Sequence, residues 1–145
     1  MQNPIPQSID HPDRMVLKRR SELKVLEIAF SAYPVTDLPR ARRFYEGILA
    51  LEPARLFGTE TQGFVEYDIG GSTLGIGNGV EGWEPSPNGG CVALEVEDFP
   101  AMVEHLRTSG VPFRVEPVET PVCWLAVISD PDGNSLLIHC LKRSS

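Results

Sequence analysis

"DIGGSTLGI" at Asp68–Ile76 returns, 62 residues later, as "DPDGNSLLI" at Asp130–Ile138, sharing an Asp, a Gly, a Leu and the final Ile. A second match lies upstream of each, at an offset of 61: "FSAYPVTD" (Phe30–Asp37) and "CVALEVED" (Cys91–Asp98). These share Val35 with Val96 and Asp37 with Asp98, and then Pro39 with Pro100. Each copy is too short to bury a core alone, so the two halves must pack together. A cleft between two similar halves is a ready place for a ligand.

Working outward, each half reads as strand, helix and three strands. "LKVLEIAFSAYPV" from Leu23 is rich in strand formers and alternates imperfectly. Asp37 stands where a helix N-cap belongs, with Pro39 tolerated in the first turn. Leu38, Ala41, Phe44, Tyr45, Ile48 and Leu49 then form one apolar helical face. Strands are expected over 53–58, 62–69 and 72–78, the last two joined by a turn at Gly70-Gly71. The second half repeats the order: a strand over 90–97 and an Asp98-capped helix with Phe99, Met102, Val103 and Leu106 on its inner face. Gly110 ends that helix, and strands follow over 111–116, 122–129 and 134–141.

The chain has 145 residues, enough for one domain with a real core. Its net charge of −7 is segregated, with basic residues gathered before residue 44 and acidic ones after it. An acidic body disfavours nucleic acid and mildly favours cationic or neutral ligands, although solubility alone explains such a charge. No apolar run is long enough to cross a membrane and no signal segment opens the chain. Cys91, Cys123 and Cys140 lack metal-type or redox spacing, so they read as buried thiols of a cytoplasmic protein. Residues 1–23, with their prolines and a solvated "KRR" at Lys18–Arg20, read as an N-terminal arm.

"VTDLPRARRFYEGILALEP", "VEDFPAMVEHLRTSGV" and "ISDPDGNSLLIH" together resemble the vicinal oxygen chelate superfamily, which includes glyoxalase I, extradiol dioxygenases and fosfomycin- and bleomycin-resistance proteins. The resemblance covers residues 24–142: module one over 24–78, a linker over 79–89, and module two over 90–142. It implies an α+β fold, two tandem βαβββ modules forming a curved mixed sheet around a cleft, usually in a homodimer. One departure is Ala50, where the family commonly has a glycine; positive φ there would cost on the order of 1 kcal/mol. Enzymes of the family hold a divalent ion through four positions, which fall here on Phe30, Gly75, Cys91 and Leu137. Phenylalanine, glycine and leucine offer no donor, and a catalytic ion needs at least three protein ligands. The resemblance therefore implies no metal and no cofactor.

Residues two apart on a strand share a face. If those four positions mark the cleft, Ala32, Thr73, Gly77, Ala93, Glu95, Ser135 and His139 share it. The 62-residue offset adds Phe64, Glu66, Trp124 and Ala126. Three ionisable candidates for catalysis follow: Glu66, Glu95 and His139. His139 could pair with Cys91, or act with Glu66 as acid and base. A strand histidine is also an ordinary hydrogen-bonded wall residue, the two glutamates ordinary rim residues, and Cys91 a small apolar filler. Gly75 and Gly77 leave a wall bare beside Phe30, Phe64 and Trp124, which suits an aromatic ligand oriented by carboxylates. The expected ligand-binding set is Phe30, Phe64, Glu66, Cys91, Glu95, Trp124, Leu137 and His139. Three functions fit: a metal-free protein binding an aromatic or cationic organic molecule, a lactoylglutathione-lyase-like lyase or isomerase using the cleft Glu and His residues, or a dimeric scaffold with a vestigial cleft.

Overall fold

The computed structural model describes Leu23 and residues 26–143 of the chain, so the proposed arm over 1–23 lies outside the described residues except for Leu23. Module one contains β1 (Ser31–Pro34), a helix α1 (Leu38–Arg42) that continues through a wide turn at Arg43–Ile48, and then β2 (Pro53–Gly58), β3 (Gly63–Ile69) and β4 (Ser72–Gly77). Module two contains β5 (Val92–Glu95), α2 (Phe99–Thr108), β6 (Phe113–Glu119), β7 (Cys123–Ser129) and β8 (Ser135–Leu141). Each module forms one mixed sheet, in the orders β1-β4-β3-β2 and β5-β8-β7-β6. The α+β fold with two βαβββ units is as the sequence suggests.

The first strand is shorter than its composition suggests. It runs parallel to β4 with Ser31 opposite Leu74, so β4 offers partners back only to about Phe30 and Ala29. Residues 26–28 have no neighbouring strand among the described residues, and Leu26, Ile28 and Phe30 are exposed.

Both helices begin as expected. The Asp37 carboxylate accepts from the backbone N–H of Arg40 at 3.0 Å, and Asp98 accepts from that of Ala101 at 3.0 Å. The end of α1 is looser: the N–H of Leu49 donates to the carbonyl of Phe44, five residues back, at 3.0 Å. Ala50 follows at φ 59°, the sole non-glycine residue with positive φ among the described residues. Gly110 holds the equivalent place after α2 at φ 78° without a Cβ clash.

One apolar core serves both modules. Tyr33, Val65, Tyr67, Leu74 and Ile76 from the first sheet and Ala126, Ile128, Leu136 and Ile138 from the second bury their side chains among Leu38, Tyr45, Phe99 and Leu106 of the helices. Polar bonds tie the halves together. The Tyr45 hydroxyl donates to Asp130 at 2.8 Å, and the Asn134 side-chain amide donates to the carbonyl of Pro34 at 2.8 Å. The Tyr33 hydroxyl donates to the carbonyl of Ser135 at 2.7 Å and accepts from the N–H of Val92 at 2.6 Å. Burial pushes the Tyr33 phenol up to about 12.

The two hairpins differ in one respect that sets every side chain's direction. Ile69 pairs with Ser72, leaving Gly70 and Gly71 as the turn, whereas Ser129 pairs with Ser135, leaving residues 130–134. Leu74 corresponds to Leu136, but Tyr67, paired with Leu74, corresponds to Ile128, paired with Leu136. The offset is therefore 62 for β4 and β8 but 61 for β3 and β7. A one-residue difference reverses which side chains face the helices.

Replacing Ala50 by glycine should raise stability by about 1 kcal/mol, because it relieves the left-handed strain. Replacing buried Phe44 by alanine should lower it by roughly 3–5 kcal/mol. Urea unfolding of both variants measures each change directly.

Candidate functional site

With Val65, Tyr67, Leu74 and Ile76 turned into the core, strand alternation puts Phe64, Glu66, Gly75 and Gly77 on the opposite, solvent-facing side of the first sheet. The Phe64 ring covers both glycines. A Cβ built on Gly75 would strike the Cζ of that ring, and one on Gly77 would come 2.5 Å from its Cδ1. Phe30 meets the same ring edge-on, with centroids 5.8 Å apart. The wall expected to be bare is thus covered by the aromatic ring itself.

Glu66 is not a free carboxylate. It pairs with Arg55 from the edge strand β2, and Arg55 also bonds Asp68 at 2.6 Å. Thr73 donates to Asp68 at 2.8 Å. The bonds from Arg55, and then from Thr73, hold the Asp68 carboxyl below its usual range, while Asp68 and Glu66 raise the Arg55 guanidinium. Arg55 was hidden in the sequence because β2 is exposed throughout and shows no inward period.

On the second sheet, Glu95 stands directly opposite His139. The Nδ1 of His139 lies 2.5 Å from the Glu95 carboxylate, whose other oxygen accepts from the N–H of Leu141 at 2.8 Å. The bond from His139, and then that from Leu141, lowers the Glu95 carboxyl. A carboxylate partner requires the proton on Nδ1, which leaves Nε2 as the acceptor of a neutral ring. Leu125 lies across from His139 and Val127 across from Leu137, so these residues, with Ala93, floor the module-two face.

Trp124 and Ala126 are on the other side. Ala126 is fully buried in the core, and Trp124 stacks on Phe99 of α2 with centroids 6.3 Å apart. The one-residue difference between the hairpins reverses their direction, and turns Leu125 and Val127 outward instead. Cys91, expected buried, is exposed, whereas Cys123 is buried and Cys140 half-buried. Cys91 precedes Glu95 by four residues, which places it about 13 Å along the strand from the His139 level. A Cys91–His139 pair does not form. Nor does a Glu66–His139 pair: among the described residues no hydrogen bond or ion pair joins the two groups, and each carboxylate has its own partner.

The family's metal positions do not fit an ion here. Phe30, Gly75 and Leu137 carry no donor, and the Phe64 ring occupies the space above Gly75. Among the described residues no three His, Cys, Asp or Glu side chains gather closely enough to replace them.

The model of the Glyoxalase/Bleomycin resistance protein/Dioxygenase superfamily matches residues 27–138. The chain belongs to this superfamily. A curated relative, the lactoylglutathione lyase of Haemophilus influenzae, is 30% identical over 118 residues, covering 74% of this chain and 87% of that protein. Among solved structures, a glyoxylase/bleomycin resistance protein/dioxygenase domain from Frankia sp. EAN1pec is 19% identical with a TM-score of 0.67, over 84% of this chain and 96% of that one. An antibiotic-binding protein from Streptomyces sp. CB03234 is 21% identical with a TM-score of 0.65, over 83% and 99%. The fosfomycin resistance protein FosX of Mesorhizobium loti is 20% identical with a TM-score of 0.60, over 80% and 92%. At these identities the structural likenesses speak for a shared fold alone. The superfamily contains both resistance proteins and enzymes, so the side chains on the two faces must decide this member's role.

Two outcomes test this geometry. Gly75→Ala should destabilise the fold by about 1–3 kcal/mol, and Phe64→Ala should remove most of that penalty in the double variant, because ring and Cβ compete for one space. The lowered Glu95 carboxyl means that its pairing stabilises the fold at neutral pH. That contribution is lost as acid carries the pH from the ordinary glutamate range down through the depressed value. Urea unfolding across that window should show the loss in the wild type and a flatter profile in Glu95→Gln.

Proposed function

We propose that this superfamily member is a metal-free cytoplasmic protein that binds an aromatic organic molecule, neutral or cationic, in a homodimer. The observation that carries the reading is the Phe64 ring lying over Gly75 and Gly77 with Phe30 edge-on to it. It puts a stacking surface where the family's enzymes would place a metal ligand. The ligand's ring lies against Phe64, and Arg55, Glu66 and Asp68 border it with a net negative charge. Leu125, Val127 and Leu137 supply an apolar surface on module two.

Dimerisation gives this reading its cleft. Within one chain the helix-facing sides of both sheets share the core, which leaves the Phe64 face and the His139 face half-buried. A second copy presenting its module-two face to the module-one face of the first would enclose a ligand between them.

A second reading rests on Glu95 and His139. The carboxylate fixes the ring so that Nε2 can accept a proton, the orientation needed in a general base. Together with the lactoylglutathione lyase among its relatives, that pair supports a lyase or isomerase working without the metal. In that case lactoylglutathione formation or breakdown should be measurable and should fall at least a hundredfold in His139→Gln, on the order expected for losing a general base.

Three measurements test the binding reading. Saturation-transfer NMR with a mixture of neutral, cationic and anionic naphthalene derivatives should show the first two bound, with the neutral ligand's signal lost in Phe64→Ala and kept in Trp124→Phe. Elemental analysis after dialysis should find no stoichiometric Zn, Ni, Mn or Fe. Sedimentation at micromolar concentration should give a dimer, and a clean monomer would remove the shared cleft. Retention of the anionic naphthalene alone would overturn the charge preference.

A further inference from the structure

The repeat that builds the two modules is broken at one place between them, and a cavity lies at the break. On one side of the molecule Tyr33 crosses from β1 to module two, where its hydroxyl bonds the carbonyl of Ser135 and the N–H of Val92. The turn over residues 130–134 fills the space beyond, with Tyr45 and Asn134 bonded to Asp130. The repeat maps Tyr33 onto Leu94, Val92 onto Ser31 and Ser135 onto Thr73. Leu94, Ser31 and Thr73 do come together at the equivalent place, but leucine has neither the reach nor the hydroxyl to join them. The facing turn is also short, with only Gly70 and Gly71 between paired residues.

What remains is a cavity of about 640 Å³, within the range of small-molecule sites. Leu49, Leu51, Ile69, Leu94, Met102 and Ile138 make its walls apolar. Among the described residues, the charged ones that line it are Glu97 and Glu95, the latter with its carboxylate bonded to His139 and the N–H of Leu141, and no lysine or arginine does.

We propose that this inter-module cavity is a second ligand site, separate from the aromatic face at Phe64, and that it takes an apolar molecule carrying an amine. The apolar body replaces what a tyrosine and a longer turn fill on the other side. The ammonium head stays at the mouth beside Glu97, where an anion would be repelled. The site needs neither a metal nor the Phe64 surface, so it stands whether or not the binding reading above holds.

The test uses the full chain and two naphthalene dyes of opposite charge, dansylcadaverine and anilinonaphthalene sulfonate. Dansylcadaverine should bind with a blue-shifted emission and more tightly than the sulfonate. Leu94→Tyr introduces the side chain of the filled side at the place the repeat makes equivalent to Tyr33, beside Ser31 and Thr73. It should weaken the amine dye by about tenfold or more, as expected when a pocket is filled, with no loss of thermal stability. Met102→Trp fills the cavity from α2 and should act alike, which keeps the test sound if the first variant misfolds. Phe64→Ala should leave the part of dansylcadaverine binding that Leu94→Tyr removes unchanged, while weakening neutral ligands of the aromatic face. The inference is overturned if the wild type ignores the amine dye, if both filling variants bind it normally, if Phe64→Ala abolishes it, or if the sulfonate binds as well as the amine.

Discussion

The carboxyl group of Asp130 holds the two modules in one arrangement. It is 4% exposed and accepts from the Tyr45 hydroxyl, the Asn134 amide and the backbone N–H groups of Asp132 and Asn134. A buried carboxyl without such partners would cost several kcal/mol, so each donor is required. Asn134 passes the constraint on by bonding Pro34, at the end of the first strand. Asp132, from the same turn, accepts from Thr36 and Arg40 at the start of α1. One five-residue turn thereby fixes where module one begins relative to module two, and the faces of both sheets follow.

That arrangement distributes chemistry unevenly. The shared core takes the helix-facing side chains of both sheets, and the remaining faces carry the aromatic pair Phe30 and Phe64 on one module and the Glu95–His139 pair on the other. Each ionisable group on these faces already has a local partner. The faces therefore present satisfied, well-oriented groups beside apolar surface, which favours recognition over strong electrostatic attraction. The outer strands β2 and β6 are exposed, yet Pro53, Arg55, Arg114 and Pro117 interrupt their edges with charge and missing donors, the usual protection of a sheet edge.

The repeat, the Asp caps and the glycine turn were legible in the sequence because each is a local signal. Periodicity and capping report on a residue's own segment, and they placed both helices and most strands correctly. The first strand was overextended because residues 26–28 have strand composition but meet no partner among the described residues, and pairing is not a local property. Trp124 was turned the wrong way because a single offset was carried across a hairpin whose turn differs in length. Arg55 escaped notice because an edge strand shows no inward alternation. The covering of Gly75 by Phe64 is a contact between strands, and it depends on a register that only the folded chain displays.

The ring over Gly75 also constrains the evolutionary history open to this chain. Placing a glutamate at Gly75 in one step would put its Cβ inside the Phe64 ring, so the variant would lose stability before any ion could bind. Shrinking Phe64 first would open the space but expose the floor of the aromatic surface. The order of mutations matters, and the intermediates are handicapped in both directions. Such sign-dependent coupling works as a ratchet: with an aromatic ring over this position, gaining a metal ligand there needs two coordinated changes.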